Sequence, residues 1–275
     1  MKLIGVGDSI FDAYLEEKKL YPGGNTVNTA VLAKRFGAAQ AAYIGVLGDD
    51  KAGLYFMDTL ADEGLDVSRV RMVHAPSAQN YIRLMPDGDR VFVGNNCDES
   101  AQGLVDLHLV RPDYAMLEQY DVAHTSLHSR LDESLPAIAR RTDLSMDFSG
   151  AYTERIIEHF CPMLRFAFFS GGGQSREEVQ NLAAYALSCG ARTVVVTMGN
   201  EGSYLLEQGR THSEPIRAVE TVDALGAGDA YIAAFLTSYY DTKGDLVGSA
   251  GRAAAFAAEC CLHHGAFDRP FRMEE

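Results

Sequence analysis

The sequence predicts an α/β fold: a mainly parallel sheet covered by helices, with a small second β-sheet standing off it as a lid. Short apolar runs alternate with helical patterns for most of the chain, as a parallel sheet fed by crossover helices requires. Two stretches, 10–16 and 79–94, break the alternation with strand-like runs, and no helix separates the pair within the second. The chain has 275 residues, 47% hydrophobic and 23% charged, which is enough apolar material for a substantial core and too much for a disordered protein. One globular domain over 1–275 is expected, because no repeat, low-complexity tract or linker divides it.

Taken in order, strands are expected at 2–6, 42–46, 121–124, 144–147, 166–169 and 193–197. Helices are expected at 26–36, 52–63, 132–140, 177–189, 227–240 and 245–263. The lid takes its strands from about 10–16 and 79–94, the latter turning at Pro86-Asp87-Gly88-Asp89. An accessory sheet of this kind covers a site or pairs with another subunit.

The balance of 24 basic against 38 acidic residues leaves a net charge of -14, which repels nucleic acid and anionic membranes alike. An anionic ligand such as ATP must then be met by local devices, backbone N–H groups or a metal ion. The N-terminus reaches a carboxylate, Asp8, too soon for a signal peptide, and no apolar run approaches the ~20 residues of a membrane span. A cytoplasmic protein is expected. The five cysteines include no C-x-x-C pair and are expected to be reduced thiols.

The most informative stretch is Val222-Asp223-Ala224-Leu225-Gly226-Ala227-Gly228-Asp229-Ala230, which leads into an apolar helix. Glycines at 226 and 228 permit a tight turn, so the N–H groups of Gly226, Ala227 and Gly228 can converge on an anion at the helix N-terminus. Asp229 follows in the first turn, where the macrodipole favours its ionised form. A carboxylate there makes chemical sense if an acceptor hydroxyl lies between it and the amides: Asp229 takes the proton while the amides stabilise the transferred phosphoryl group. Four residues alone are equally compatible with an ordinary capped helix start. The stretch is no P-loop, since neither Lys nor Ser/Thr follows its last glycine, and Gly5-Val6-Gly7 lacks the third glycine of a dinucleotide fingerprint.

A second motif, Tyr21-Pro22-Gly23-Gly24-Asn25-Thr26-Val27-Asn28-Thr29-Ala30, opens a helix near the amino end. Gly24 allows close approach to the backbone, and Asn28 offers both a donor and acceptors to a hydroxyl-rich ligand. By itself this motif is better explained by a glycine turn and a cap.

The two motifs together, in this order, resemble the two signatures of the PfkB family of ribokinase-like kinases. The first is matched by Gly23, Gly24, Asn25, Asn28, Ala30, Arg35 and Gly37, and continues through Gly45-Val46-Leu47-Gly48-Asp49-Asp50 with Gly53; the second is matched by Asp223 and Gly226 to Asp229. The resemblance covers nearly the whole chain and implies a three-layer α/β/α sandwich with a small lid sheet. It implies an ATP-dependent sugar kinase with Asp229 as catalytic base, Gly226, Ala227 and Gly228 as anion hole, and Asp12, Gly24 and Asn28 on the sugar. Thr197, Gly199 and Gly202, in Thr197-Met198-Gly199-Asn200-Glu201-Gly202, look like the family's strand-end motif at the nucleotide, with Gly251, Ala254 and Ala258 of the last helix beside the adenine. The implied cofactors are ATP and Mg2+, with room for a monovalent cation such as K+, and the implied assembly is a homodimer.

Two departures stand out. The family's usual Asp-Thr before the glycine turn is Asp223-Ala224 here, which removes one hydroxyl. Where many members carry an Asn followed by a metal-organising Glu, this chain has Ser170-Gly171-Gly172-Gly173-Gln174-Ser175-Arg176-Glu177-Glu178; Glu177 is the choice for a carboxylate linked to the metal through water, with Glu178 as the alternative. Within the family, the compact length, Gln119 to His124 and Asp89-Arg90-Val91-Phe92 most resemble fructoselysine 6-kinases, and Arg90 on the lid hairpin is a candidate substrate contact. Other acceptors (ribose, fructose or a nucleoside) and a non-catalytic sugar-binding protein of the same fold are the competing expectations.

Overall fold

A parallel strand buried on both faces needs apolar residues on both, and β1 (Lys2–Gly7) supplies them: Leu3 packs into one core while Ile4 and Val6 pack into another. The structure, a computed structural model, describes residues 1–84 and 90–272, so the expected turn at 86–89 lies outside the described residues. After β1 come the antiparallel pair β2 (Ile10–Tyr14) and β3 (Lys19–Gly23), then α1 (Asn25–Phe36) and β4 (Gln40–Gly48), which returns beside β1 in parallel. Helix α2 (Lys51–Asp62), capped by Asp50, leads to two short strands on β4, β5 (Leu65–Asp66) and β6 (Arg71–Val73). A second strand pair, β7 (Gln79–Leu84) and β8 (Arg90–Asn95), is followed by short helices α3 (Ala101–Leu104) and α4 (Arg111–Leu117).

Strict alternation then takes over: β9 (Val122–Ser126), α5 (Leu135–Ala139), β10 (Asp143–Asp147), α6 (Glu154–Phe160), β11 (Phe166–Ser170), α7 (Arg176–Ser188) and β12 (Thr193–Thr197). A hairpin of β13 (Ser203–Glu207) and β14 (Arg210–Glu214) precedes α8 (Ala227–Asp241), α9 (Leu246–Cys260) and β15 (Phe271–Arg272). The large sheet has the order β14-β13-β12-β11-β10-β9-β1-β4-β5, parallel from β12 to β5 and antiparallel through the hairpin. Its two faces are covered by different helices. Leu3, Tyr43, Phe168 and Val195 face α1, α2, α8 and α9, whereas Ile4, Ile44, Phe169 and Val194 face α4 to α7. This is the expected α/β/α sandwich.

The lid is a five-stranded sheet in the order β15-β3-β2-β7-β8, with a small core of its own in Tyr14, Tyr21 and Ile82. Its β3 strand was hidden in the sequence, because Pro22-Gly23-Gly24 has the look of a turn. Pro22 is tolerated there because β15 pairs only with Lys19 and Leu20, which leaves the rest of that side an edge. The β13–β14 hairpin, β15, α4 and α6 likewise went unanticipated. The helix expected over 132–140 shrinks to α5, with Pro136 in its first turn, and the last helix ends at Cys260 rather than 263.

Candidate active site

Five neighbouring parallel strands, β12, β11, β10, β9 and β1, end along one edge of the sheet, the edge at which open α/β sheets place ligands. They deliver Thr197, Ser170, Asp147 and Ser126 as last residues, and Asp8 just beyond β1. Asp8 is buried, its Oδ1 accepting from the Ser126 and Ser129 hydroxyls at 2.8 and 3.0 Å.

Asp229, in the first turn of α8, meets this edge through the first turn of α1. Asn28 Nδ2 donates to Asp229 Oδ2 at 2.7 Å, and Asn25 Nδ2 donates to Asp229 Oδ1 at 2.7 Å. The Asn25 amide also donates to Asp147 Oδ2 at 2.9 Å, while its Oδ1 lies 2.9 Å from His124 Nε2. The far ring nitrogen of His124 lies 2.9 Å from the Ser145 hydroxyl. Although Asp229 keeps some solvent exposure, loss of surrounding water pushes its carboxyl up to about 8, with the carboxylates of Asp147 and Asp8 adding to the rise and the Asn28 and Asn25 donors opposing it. Burial also pushes Asp147 up to about 6 and the fully buried His124 imidazole down to about 3. The helix dipole was expected to keep Asp229 ionised; its surroundings outweigh that effect.

Toward the lid, Asp12 of β2 is 6% exposed and Asn28 is 5% exposed. Both turn toward the space a side chain at Gly23 would fill: a Cβ there would lie 3.0 Å from Asp12 Oδ2 and 3.7 Å from Asn28 Oδ1. Asn28 Oδ1 is buried and has no hydrogen-bond partner, a state that calls for a donor from outside the chain. Gly24 is required by the backbone, with φ 102° and only 2.8 Å between a would-be Cβ and the Asp8 carbonyl oxygen. Arg90 belongs to β8, opposite Leu84 in the lid.

A cleft of about 430 Å³ opens beside the start of α8, lined by Thr197, Gly199, Gly202, Ala227, Gly228 and Ala254 among others. Ala224, which stands where the family usually carries a Thr, lines it too, as does Ala258. Gly251 is not among its lining residues and instead packs by Glu214, with a would-be Cβ 3.7 Å from Glu214 Oε1. At the glycine turn Gly226 has φ 81°, and a Cβ would come 2.5 Å from that of Ala266. The Ala227 N–H already donates to the Ala224 carbonyl at 3.2 Å, so it is shared rather than wholly available to an anion. The turn is braced by Asp223, whose Oδ1 accepts from the Leu225 N–H at 2.6 Å and whose Oδ2 accepts from the Gly265 N–H at 3.0 Å and the Tyr14 hydroxyl at 3.1 Å.

The family description "pfkB family carbohydrate kinase" matches residues 11–161 and 163–270. The chain belongs to the pfkB carbohydrate kinase family. This kinase is 36% identical to a protein named Fructosamine kinase FrlD of Bacillus subtilis, over 100% of the chain and 96% of that relative. It is 32% identical to Fructoselysine 6-kinase of Escherichia coli, over 96% of the chain and 99% of the relative. Among solved structures, Arabidopsis thaliana ribokinase complexed with ribose and ATP superposes with a TM-score of 0.80 at 18% identity, covering 96% and 93% of the two chains. Aminoimidazole riboside kinase from Salmonella enterica gives 0.74 at 20% identity, covering 98% and 96%. The protein is therefore an enzyme, a ribokinase-like carbohydrate kinase, and ATP is the donor that goes with that chemistry.

In this kinase five of the six residues expected at the nucleotide, Thr197, Gly199, Gly202, Ala254 and Ala258, line the cleft together with Ala227 and Gly228 of the glycine turn, while Asn28 is hydrogen-bonded to Asp229. Glu177 is exposed on the first turn of α7 and does not line the cleft, while Glu178 accepts from both the N–H and the hydroxyl of Ser175 at 2.7 Å as half of a capping box. Asn25, His124 and Asp147 were not anticipated as site residues. The signal for the last two was available, since both lie at or near the carboxyl ends of central strands.

Proposed function

We propose that this kinase phosphorylates the sugar of an Amadori compound, acting as a fructoselysine 6-kinase. The observation that carries the reading is the pair of full-length relatives, one named for fructosamine and the other for fructoselysine, both above 30% identity. The acceptor hydroxyl lies beside Asp229, with Asp12, Gly24 and Asn28 holding the sugar and Arg90 contacting it from the lid. The orphaned Asn28 Oδ1 supports this, since a sugar hydroxyl is the donor it lacks. Asp229 accepts the hydroxyl proton as the oxygen attacks the γ-phosphorus of ATP, the bond to the bridging oxygen breaks, and ADP leaves. Gly226, Ala227 and Gly228 form the anion hole that meets charge on the transferred group. Thr197, Gly199, Gly202 and Ala254 hold ATP, with Gly251 of α9 packed by Glu214.

Mg2+ carried on the ATP phosphates would keep several of its waters and take only one or two carboxylates from the protein. Glu177 would hold it through water, Glu178 being engaged by Ser175. When bound, the ion neutralises charge on the phosphates. The chain works as one kinase domain with its lid, in the cytoplasm, and as a homodimer.

The test is an ADP-release assay against fructoselysine, other fructosamines, fructose, ribose and nucleosides, with Mg2+ and K+ varied separately. The highest kcat/KM is expected with fructoselysine. Preference for free ribose, fructose or a nucleoside would overturn the substrate. Sugar binding without any turnover would overturn the catalytic assignments.

A further inference from the structure

We infer that His124 is a positioning residue for phosphoryl transfer, fixing the side-chain amide of Asn25 so that its two N–H bonds serve Asp229 and Asp147 at once. The inference rests on Asp229 being the base and goes beyond it. An asparagine amide has two hydrogens on one end and an acceptor on the other, and all three are assigned here: Asp229 at 2.7 Å, Asp147 at 2.9 Å and His124 at 2.9 Å. Turning the amide over would press its oxygen against two carboxylates. What holds it is a donor for that oxygen, supplied by His124 Nε2–H, while His124 Nδ1 accepts from the Ser145 hydroxyl.

His124 suits this task because it is fully buried and neutral, with its ring edge-to-face with that of Phe168 and a single N–H to give. A protonated imidazole would need a second acceptor, and burial holds its pKa down to about 3, so neutrality persists across the working pH range. The consequence reaches Asp229. Each of its oxygens takes one amide donor, and losing the Asn25 donor would leave Asn28 alone against the carboxylates of Asp147 and Asp8. The other titratable groups facing this cluster are Cys260 of α9, whose thiol senses Asp229, and His128, which faces Asp147. None of them substitutes for the missing amide, because none donates to Asp229.

The test compares His124→Phe, His124→Gln and Asn25→Ala with the parent enzyme. Two quantities are followed: the acid limb of kcat/KM against pH, and the titration of the Asp229 carboxyl by carbon-13 NMR in the ligand-free protein. His124→Phe and Asn25→Ala are expected to move both upward by half a pH unit or more, about a threefold loss of the ionised base at neutral pH. The loss in kcat should exceed any change in KM for the sugar, and His124→Gln, which can present an N–H to Asn25, should restore both midpoints. Unmoved midpoints in folded His124→Phe and Asn25→Ala would overturn the inference. So would loss of activity equal at every pH, the mark of a merely structural role. Should His124→Phe fail to fold, Asn25→Ala and Ser145→Ala decide between the same outcomes. Failure of the base assignment is distinguishable: Asp229→Asn would then retain turnover while the carboxyl titration of the histidine and asparagine variants still shifts.

Discussion

Asp229 is placed where two effects oppose each other, a helix start that favours its charge and a dry, acidic neighbourhood that does not. The neighbourhood prevails, lifting its pKa to about 8. For catalysis, kcat/KM of the free enzyme is expected to climb with pH through a midpoint near 8 and level off above it, which a pH series with saturating ATP would check. For stability the sign is worked from the same shift. A carboxyl whose folded pKa exceeds its unfolded value stabilises fully below the unfolded value, and that contribution is lost as pH rises through the folded one. Asp229→Asn is therefore expected to raise Tm, with little gain at pH 4 and the largest gain above pH 8, measurable by calorimetry. The same substitution should lower kcat by roughly 10²–10⁴-fold while leaving sugar affinity similar, since it removes proton acceptance rather than uniform binding. Near-normal turnover would refute the role.

At the scale of elements, the start of α8 is held from three directions. Asp223 ties Leu225 within the turn, Gly265 beyond α9, and Tyr14 of the lid to one carboxylate. Gly226 packs so closely on Ala266 that no side chain fits, and its φ of 81° disfavours one anyway. Gly226→Ala should cost roughly 1–3 kcal/mol of stability and raise KM for ATP, because the first-turn amides would shift. Denaturant melts and initial rates check both parts. Unchanged stability would show that the turn relaxes without strain.

At the scale of the whole molecule, the lid presents an edge. β8 lies outermost in its sheet, and three consecutive residues, Val91, Phe92 and Val93, are exposed, Phe92 to 62%. A bare edge strand rich in exposed apolar residues recruits another strand, and a second lid is the partner proposed here. Light scattering should give a dimer mass, and Phe92→Lys should convert it to monomer by placing charge on that edge. A monomeric parent protein would reject the assembly. The net charge of -14 works against unspecific association.

The strands β1, β4 and β9 to β12, the helices α1, α2, α5 and α7 to α9, the layered architecture and the two glycine-bearing motifs were legible in the chain. Each depends on periodicity or turn chemistry within a short window, as in the alternation of Leu3 and Ile4 between opposite faces of the sheet. Asp229 and Asn28 were singled out the same way, as polar residues at glycine turns that open helices, whereas Asp12 came only from the resemblance to the family. β3 and the β13–β14 hairpin were missed because Pro22 and the glycines around 199–209 signal turns more strongly than strands. Only the tertiary structure decided that Asn25 would join Asp229, 204 residues away, to Asp147, 122 residues away, with His124 behind it. Such meetings follow from which strands lie side by side in the sheet and which helix packs across them. That order is set by the burial of whole faces, and no local pattern of residues encodes it.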